Sequence, residues 1–152
     1  MISEYSKLSP AFYGITMVPE ESWKEYGYAL LKIAGSDGLV SDPEMEWLTV
    51  DLADQVGVDE EIVQAWLNFD YQKSDLVKIF NSFNKKTITS FDKVLIYDAI
   101  RMSSADDEYA LEERQQVAEA SKLLGIRTDE LVAIESLVEL ERVTNRLRQN
   151  LL

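Results

Sequence analysis

Neither cysteine nor histidine occurs anywhere in the 152 residues. The first absence excludes disulfides and thiolate chemistry. The second removes the commonest general base and metal ligand. Together they rule out a zinc site of the usual nitrogen and sulfur type and any Ser-His-Asp or Cys-His catalytic apparatus. A metal held here must be a hard cation bound through oxygen, so Ca²⁺ or Mg²⁺ are the cofactors to consider. Zinc, haem and nucleotide are not expected, the last because no glycine-rich phosphate loop is present. Glycine and proline are also scarce, at 6 and 3, which leaves little room for disordered linker. No apolar run approaches the roughly 18 residues needed to span a bilayer. The opening residues MISEYSKLSPAFYG lack a basic stretch followed by an apolar one, so they do not read as a signal peptide. A cytoplasmic protein without membrane insertion is the expectation.

Positive charge is the other shortage. Net charge is −13, and no Lys or Arg occurs between Lys32 and Lys73. That stretch holds ten acids: Asp37, Asp42, Glu44, Glu46, Asp51, Asp54, Asp59, Glu60, Glu61 and Asp70. Such a field repels nucleic-acid phosphate and anionic lipid, so neither is expected as a partner. It favours a cation or a protein with a basic surface. Residues 131–152 differ, with three Glu balanced by three Arg, so the whole net charge sits in residues 1–130.

What the chain does have is helical periodicity, almost throughout. A short helix is expected over about 3–13, in an N-terminal segment 1–18. Pro19 opens a clearer one, with Trp23, Tyr26, Leu30 and Ile33 on one face and Gly35 and Gly38 as its stop. Ser41, Pro43 and Glu44 spell a capping box for "PEMEWLTVDLADQV", which ends at Gly57. Asp59 is expected to cap "EEIVQAWLNF" and Ser74 "DLVKIFNSF", with "NKKT" as a turn. Thr89 or Ser90 then opens "FDKVLIYDAIRMSS", followed by "LEERQQVAEASKLL" as far as Gly125. Thr128 is expected to cap a last helix reaching about Asn150, whose Arg142, Arg146 and Arg148 suit its negative end. The expected fold is all-α, a multihelical single domain of seven to eight helices.

Two stretches match at an offset of 69 residues: "YALLKIAGSDGLVSDPEMEWL" (28–48) and "YDAIRMSSADDEYALEERQQV" (97–117). Asp37 pairs with Asp106, Glu44 with Glu113 and Leu48 with Val117. Each copy reads as helix, acidic turn, helix, Gly stop and a third helix, which points to duplication. The domain would then occupy 19–152, with one repeat over about 20–70 and the other over about 89–140, each presenting a helix–turn–helix corner.

"AGSDGLVSDPEMEWL" resembles the Ala-x-x-Asp-Gly-x-x-x-x-x-Glu-x-x-x-Leu signature of the TerB-like family, named for the tellurite-resistance protein TerB. The matching residues are Ala34, Asp37, Gly38, Glu44 and Leu48. The second copy keeps Asp106, Glu113 and Val117 but has Ser103 and Asp107 in place of Ala34 and Gly38. The resemblance covers roughly 20–140. It implies a multihelical fold of two repeated units, a part in resistance to tellurite and other chemical stress, and a divalent-cation site among the acids.

The residues themselves allow such a site. A helical side chain tilts toward the N-terminus, so Glu44 points back at the turn that carries Asp37. Asp106 and Glu113 are related in the same way. Should the two corners meet, Asp37, Glu44, Asp106 and Glu113 would offer four carboxylates to one ion. Asp42, Asp98, Asp107 and Glu112 are secondary candidates. A plainer reading stands beside this one: Glu44 completes a capping box, Asp37-Gly38 is a turn dipeptide, and Asp98 pairs with Arg101 at i+3. The spacing is not that of an EF-hand. The aromatics Trp23, Trp47, Trp66, Phe69, Tyr71, Phe80 and Phe83 read as core. Leu140, Val143, Leu147 and Leu151 share one face of the last helix, which either packs on the body or meets a partner or a second copy. No enzyme is expected; of catalytic classes only a metal-assisted hydrolase is left open. Direct binding of tellurite, an oxyanion, is disfavoured by the charge.

Overall fold

The computed structural model describes residues 18–152, so the helix expected at about 3–13 lies outside it. Seven helices account for most of these residues, and no strand occurs among them. They are α1 (Trp23–Ala34), α2, α3 (Glu60–Leu67), α4 (Leu76–Asn81), α5 (Lys85–Ser103), α6 (Leu111–Leu123) and α7 (Thr128–Leu151). Helix α2 is composite: an α-helical start (Asp42–Glu46), a π-helical middle (Trp47–Leu52) and an α-helical end (Ala53–Val56).

Helix α1 is buried around most of its circumference, because α3, α4, α5 and α6 all pack on it. Tyr26 and Trp23 meet edge-on at 4.7 Å, and Tyr26 continues to Phe91 of α5 at 5.7 Å. Trp66 of α3 reaches so close that its indole Nε1 donates to two α1 carbonyls, those of Trp23 and Lys24, at 3.2 and 3.1 Å. That approach requires Gly27, where a Cβ would stand 2.0 Å from the same nitrogen.

The capping box is present as spelled: Ser41 Oγ accepts from the Glu44 N–H at 3.3 Å, and Glu44 Oε1 accepts from the Ser41 N–H at 2.8 Å. Asp59 caps α3 by accepting from the Ile62 N–H at 3.1 Å. Other helix starts differ from the sequence expectation. Asp75, not Ser74, caps α4; its carboxylate takes the Val77 N–H at 2.7 Å, while the Ser74 hydroxyl donates back to Tyr71. "NKKT" is not a separate turn but the first turn of α5, capped by Asn84 Oδ1, which accepts from the Lys86 N–H. The start expected at Thr89 or Ser90 is instead a kink at Phe91 (φ −132°, ψ 16°) within α5. The Thr89 and Ser90 hydroxyls donate to carbonyls three residues back, which bends a helix, and the bend seats Phe91 between Tyr26 and Phe83. Thr128 is the first residue of α7 and Arg127 occupies the cap position, its N–H held by Glu130 Oε1 at 3.1 Å.

Gly38, with φ 111°, turns the chain after α1; Gly35 has an ordinary negative φ and instead leaves room for the Tyr71 ring. Trp23, Trp66 and Phe83 are core, whereas Trp47, Phe69, Tyr71 and Phe80 are partly covered and pack on its edge. Of the two alternatives for the apolar stripe of the last helix, packing on the body is not the one observed. The helix's inner face packs through Leu131 and Val138, but Leu140, Val143, Leu147 and Leu151 all face solvent.

Candidate functional site

The two corners share their turn and cap geometry, with one bond missing from the second. In the first, Asp37 Oδ1 accepts from the Leu39 N–H; in the second, Asp106 Oδ1 accepts from the Glu108 N–H. Glu44 accepts from the Ser41 N–H at 2.8 Å, and Glu113 from the Ala110 N–H at 2.9 Å. Alanine cannot return the bond, so the second copy is half a capping box. Gly38 is left-handed, and Asp107, at the matching position, is also left-handed with φ 65°. Aspartate tolerates that conformation better than most residues, and Arg142 holds its carboxylate at 3.1 Å. The following helices end alike too, at left-handed Gly57 and Gly125, with N–H bonds from Val58 to Ala53 and from Ile126 to Ser121.

The corners face each other. Helix α6 packs on the turn Gly35–Asp37, and α2 packs on α5. Glu44 and Glu113 meet in the interior, each 1 % exposed, with their carboxyl groups within hydrogen-bond reach. The electrostatics cross over: Glu113 feels Asp37 of the other corner, and Glu44 feels Asp106. Burial is the main force raising the pKa of both glutamates. Two ionised carboxylates cannot satisfy one another, and Glu113 Oε2 is buried with no hydrogen-bond donor. Either a shared proton or a cation must sit between them.

Asp37 and Asp106 stand at the rim rather than inside. Asp37 is exposed and Asp106 partly so, and each spends one oxygen on a backbone N–H. As the side chains stand, no group of three or more carboxylates converges on one point among the described residues. The geometry is thus a buried Glu44–Glu113 pair with two aspartates nearby, not a closed cage. It suits an oxygen-seeking cation that keeps water on its open side, as Mg²⁺ does, or for which the rim aspartates rotate inward.

The secondary candidates lie elsewhere. Asp98 is fully buried but committed, accepting from the Tyr26 hydroxyl at 2.6 Å and paired with Arg101 at 3.1 Å. Arg101 in turn lies over the Trp47 and Tyr97 rings, at 5.0 and 5.1 Å. Asp107 belongs to Arg142, and Asp42 and Glu112 are exposed on first helical turns. A groove of about 610 Å³ between α5 and α7 is lined by Trp47, Tyr97, Arg101 and Arg142 and contains none of the four acids.

Two positioning residues escape the sequence pattern. Tyr71 braces the first corner, its hydroxyl accepting from the Val40 N–H at 3.0 Å. Tyr109 braces the second, its hydroxyl donating to Glu135 of α7 at 3.1 Å. Neither has a counterpart in the other copy, so the repeat carries no signal for them.

No protein-family model and no curated protein matches this chain. A structural likeness does exist. The crystal structure of a tellurite resistance protein from Nostoc punctiforme superposes with a TM-score of 0.80 over 96 % of this chain and 89 % of that one, at 22 % identity. No helix among the described residues is long and apolar enough to cross a membrane. The chain thus has the fold of a tellurite resistance protein, as its TerB-like signature led one to expect.

Proposed function

We propose that this protein is a TerB-like stress-response module that binds one divalent cation, Ca²⁺ or Mg²⁺, between its two corners and works as an interaction component rather than an enzyme. The observation that carries the reading is the meeting of Glu44 and Glu113 in the interior, with Glu113 Oε2 lacking any donor. These two residues would supply the inner oxygens, and Asp37 and Asp106 the outer ones. A divalent ion there would neutralise the pair and tie α2 to α6, so ion occupancy would stiffen the contact between the repeats. The link to tellurite is proposed from the likeness of fold, and as an indirect one, since net charge −13 opposes an oxyanion. The test is thermal unfolding with millimolar Ca²⁺ or Mg²⁺. A rise in Tm beyond that produced by NaCl at matched ionic strength is expected, Glu44→Gln plus Glu113→Gln should abolish that excess, and no excess with either divalent ion would sink the proposal.

One observation favours a second reading. Nine of the ten acids between Lys32 and Lys73 are exposed, Glu44 alone being buried. A metal-free module docking a basic protein surface through this face would show salt-sensitive binding indifferent to chelators.

A further inference from the structure

Helix α7 runs past the body it packs on. Its inner face is held by buried Leu131 and Val138, then by the Tyr97 hydroxyl donating to Glu141 and by Arg142 on Asp107. The opposite face carries Leu140, Leu147 and Leu151, exposed by 65, 54 and 77 %, with Leu137 and Val143 beside them. At 100° per residue these form one continuous stripe. Acids flank the stripe in its first half (Glu139, Glu141), and arginines in its second (Arg146, Arg148).

We propose that this face pairs with the same face of a second copy, the two helices running antiparallel. A two-fold axis crossing α7 between Val143 and Thr144 places Leu140 opposite the partner's Leu147. On one flank Glu139 then meets the partner's Arg146, and on the other Glu141 meets the partner's Arg148. A parallel pairing would set Glu141 against the partner's Glu139 and Arg148 against the partner's Arg146, so charge selects the antiparallel form. Charge also selects this segment, since residues 131–152 are neutral while the rest of the chain carries all of the −13. Each body packs on the face opposite the stripe, which puts the two bodies on the outer sides of the proposed helix pair.

One pair of helix ends is a small interface, so the dimer is expected to be weak, with half-association at roughly 5–500 µM. The test is sedimentation equilibrium of the full chain across that range. A monomer–dimer equilibrium is expected, and Leu140→Glu with Leu147→Glu should abolish it while circular dichroism shows unchanged helicity. Glu139→Arg alone and Arg146→Glu alone each set like charges together and should weaken association about tenfold or more. Mixing those two variants restores opposite charges and should restore the dimer. A chain that stays monomeric at the highest concentration, a dimer that survives the double leucine substitution, or a mixture that fails to associate would each overturn the proposal.

Discussion

Glu113 is placed where its ionised form is poorly supported. Its Oε1 has the Ala110 N–H, but Oε2 is buried without a donor and next to another acid. Burial first, and then the Glu44 carboxyl, push the Glu113 pKa up. When no cation lies between the two carboxyls, the folded chain should therefore hold a proton that the unfolded chain releases near the ordinary carboxylate pKa. Between that value and the raised one the folded state binds more protons, so stability must fall as pH rises, by at most about 1.4 kcal/mol per pH unit. Urea unfolding in chelator at pH 5.5, 7 and 8.5 should show this decline. Glu113→Gln should flatten it, since an amide donates to Glu44 without titrating, while still serving as cap partner. Parallel pH profiles for the two proteins would mean that no proton is shared. At this scale the sequence was informative where a residue acts on its own helix, as with the Ser41–Glu44 box. It was silent where a residue acts across the fold. Nothing around Tyr71 announces that its hydroxyl braces the backbone of Val40, 31 residues earlier in the first corner, and Asp107 looks like a broken motif until its left-handed backbone is seen.

Among the elements, the close packing of α3 on α1 decides how tightly the first repeat closes. The Trp66 indole replaces a side chain on α1: it occupies the volume above Gly27 and donates to carbonyls of the same helix. Gly27→Ala would gain up to about 1 kcal/mol in helix propensity but drives a methyl into the ring. Overpacking and the displaced indole hydrogen bonds outweigh that gain, and a net loss of about 2–4 kcal/mol is expected by chemical denaturation. In a Trp66→Phe background, where Nε1 is absent, the same change should cost less; an unchanged cost would place the strain elsewhere. The glycine was visible in the sequence only as a weak point in a good helix, because its partner lies far along the chain. Periodicity and stop signals located all the described helices, yet several starts shifted. Asp75 and Asn84 outcompete the neighbouring serine and threonines as acceptors, and the hydroxyls of Thr89 and Ser90 bend α5 instead of beginning it. The last helix shows the same limit: its apolar stripe was plain, but only the positions of Leu131 and Val138 reveal which face the body takes.

For the molecule as a whole, charge and site must be separated before any response to salt is interpreted. The exposed acids between Lys32 and Lys73 repel one another, and with net charge −13 any electrolyte should relieve that repulsion. A divalent ion acts in both ways if it also sits between Glu44 and Glu113. The duplicated corner is what makes this second action available: one acidic turn alone would be a solvated helix start, whereas two facing turns enclose a carboxyl pair. The repeat was readable at its constant offset, but the meeting of the corners was not, since no local pattern reports which faces two distant helices share. Unfolding should therefore be followed in NaCl and in CaCl₂ or MgCl₂ at matched ionic strength. NaCl is expected to raise the Tm of the wild-type chain and of the Glu44→Gln, Glu113→Gln chain alike. The divalent salt should add a further increment in the wild type alone, about 1.4 kcal/mol for a free ion concentration near ten times its Kd. Equal increments in both chains would assign the whole response to the acidic surface, and the protein would then be read as a docking module for a basic partner.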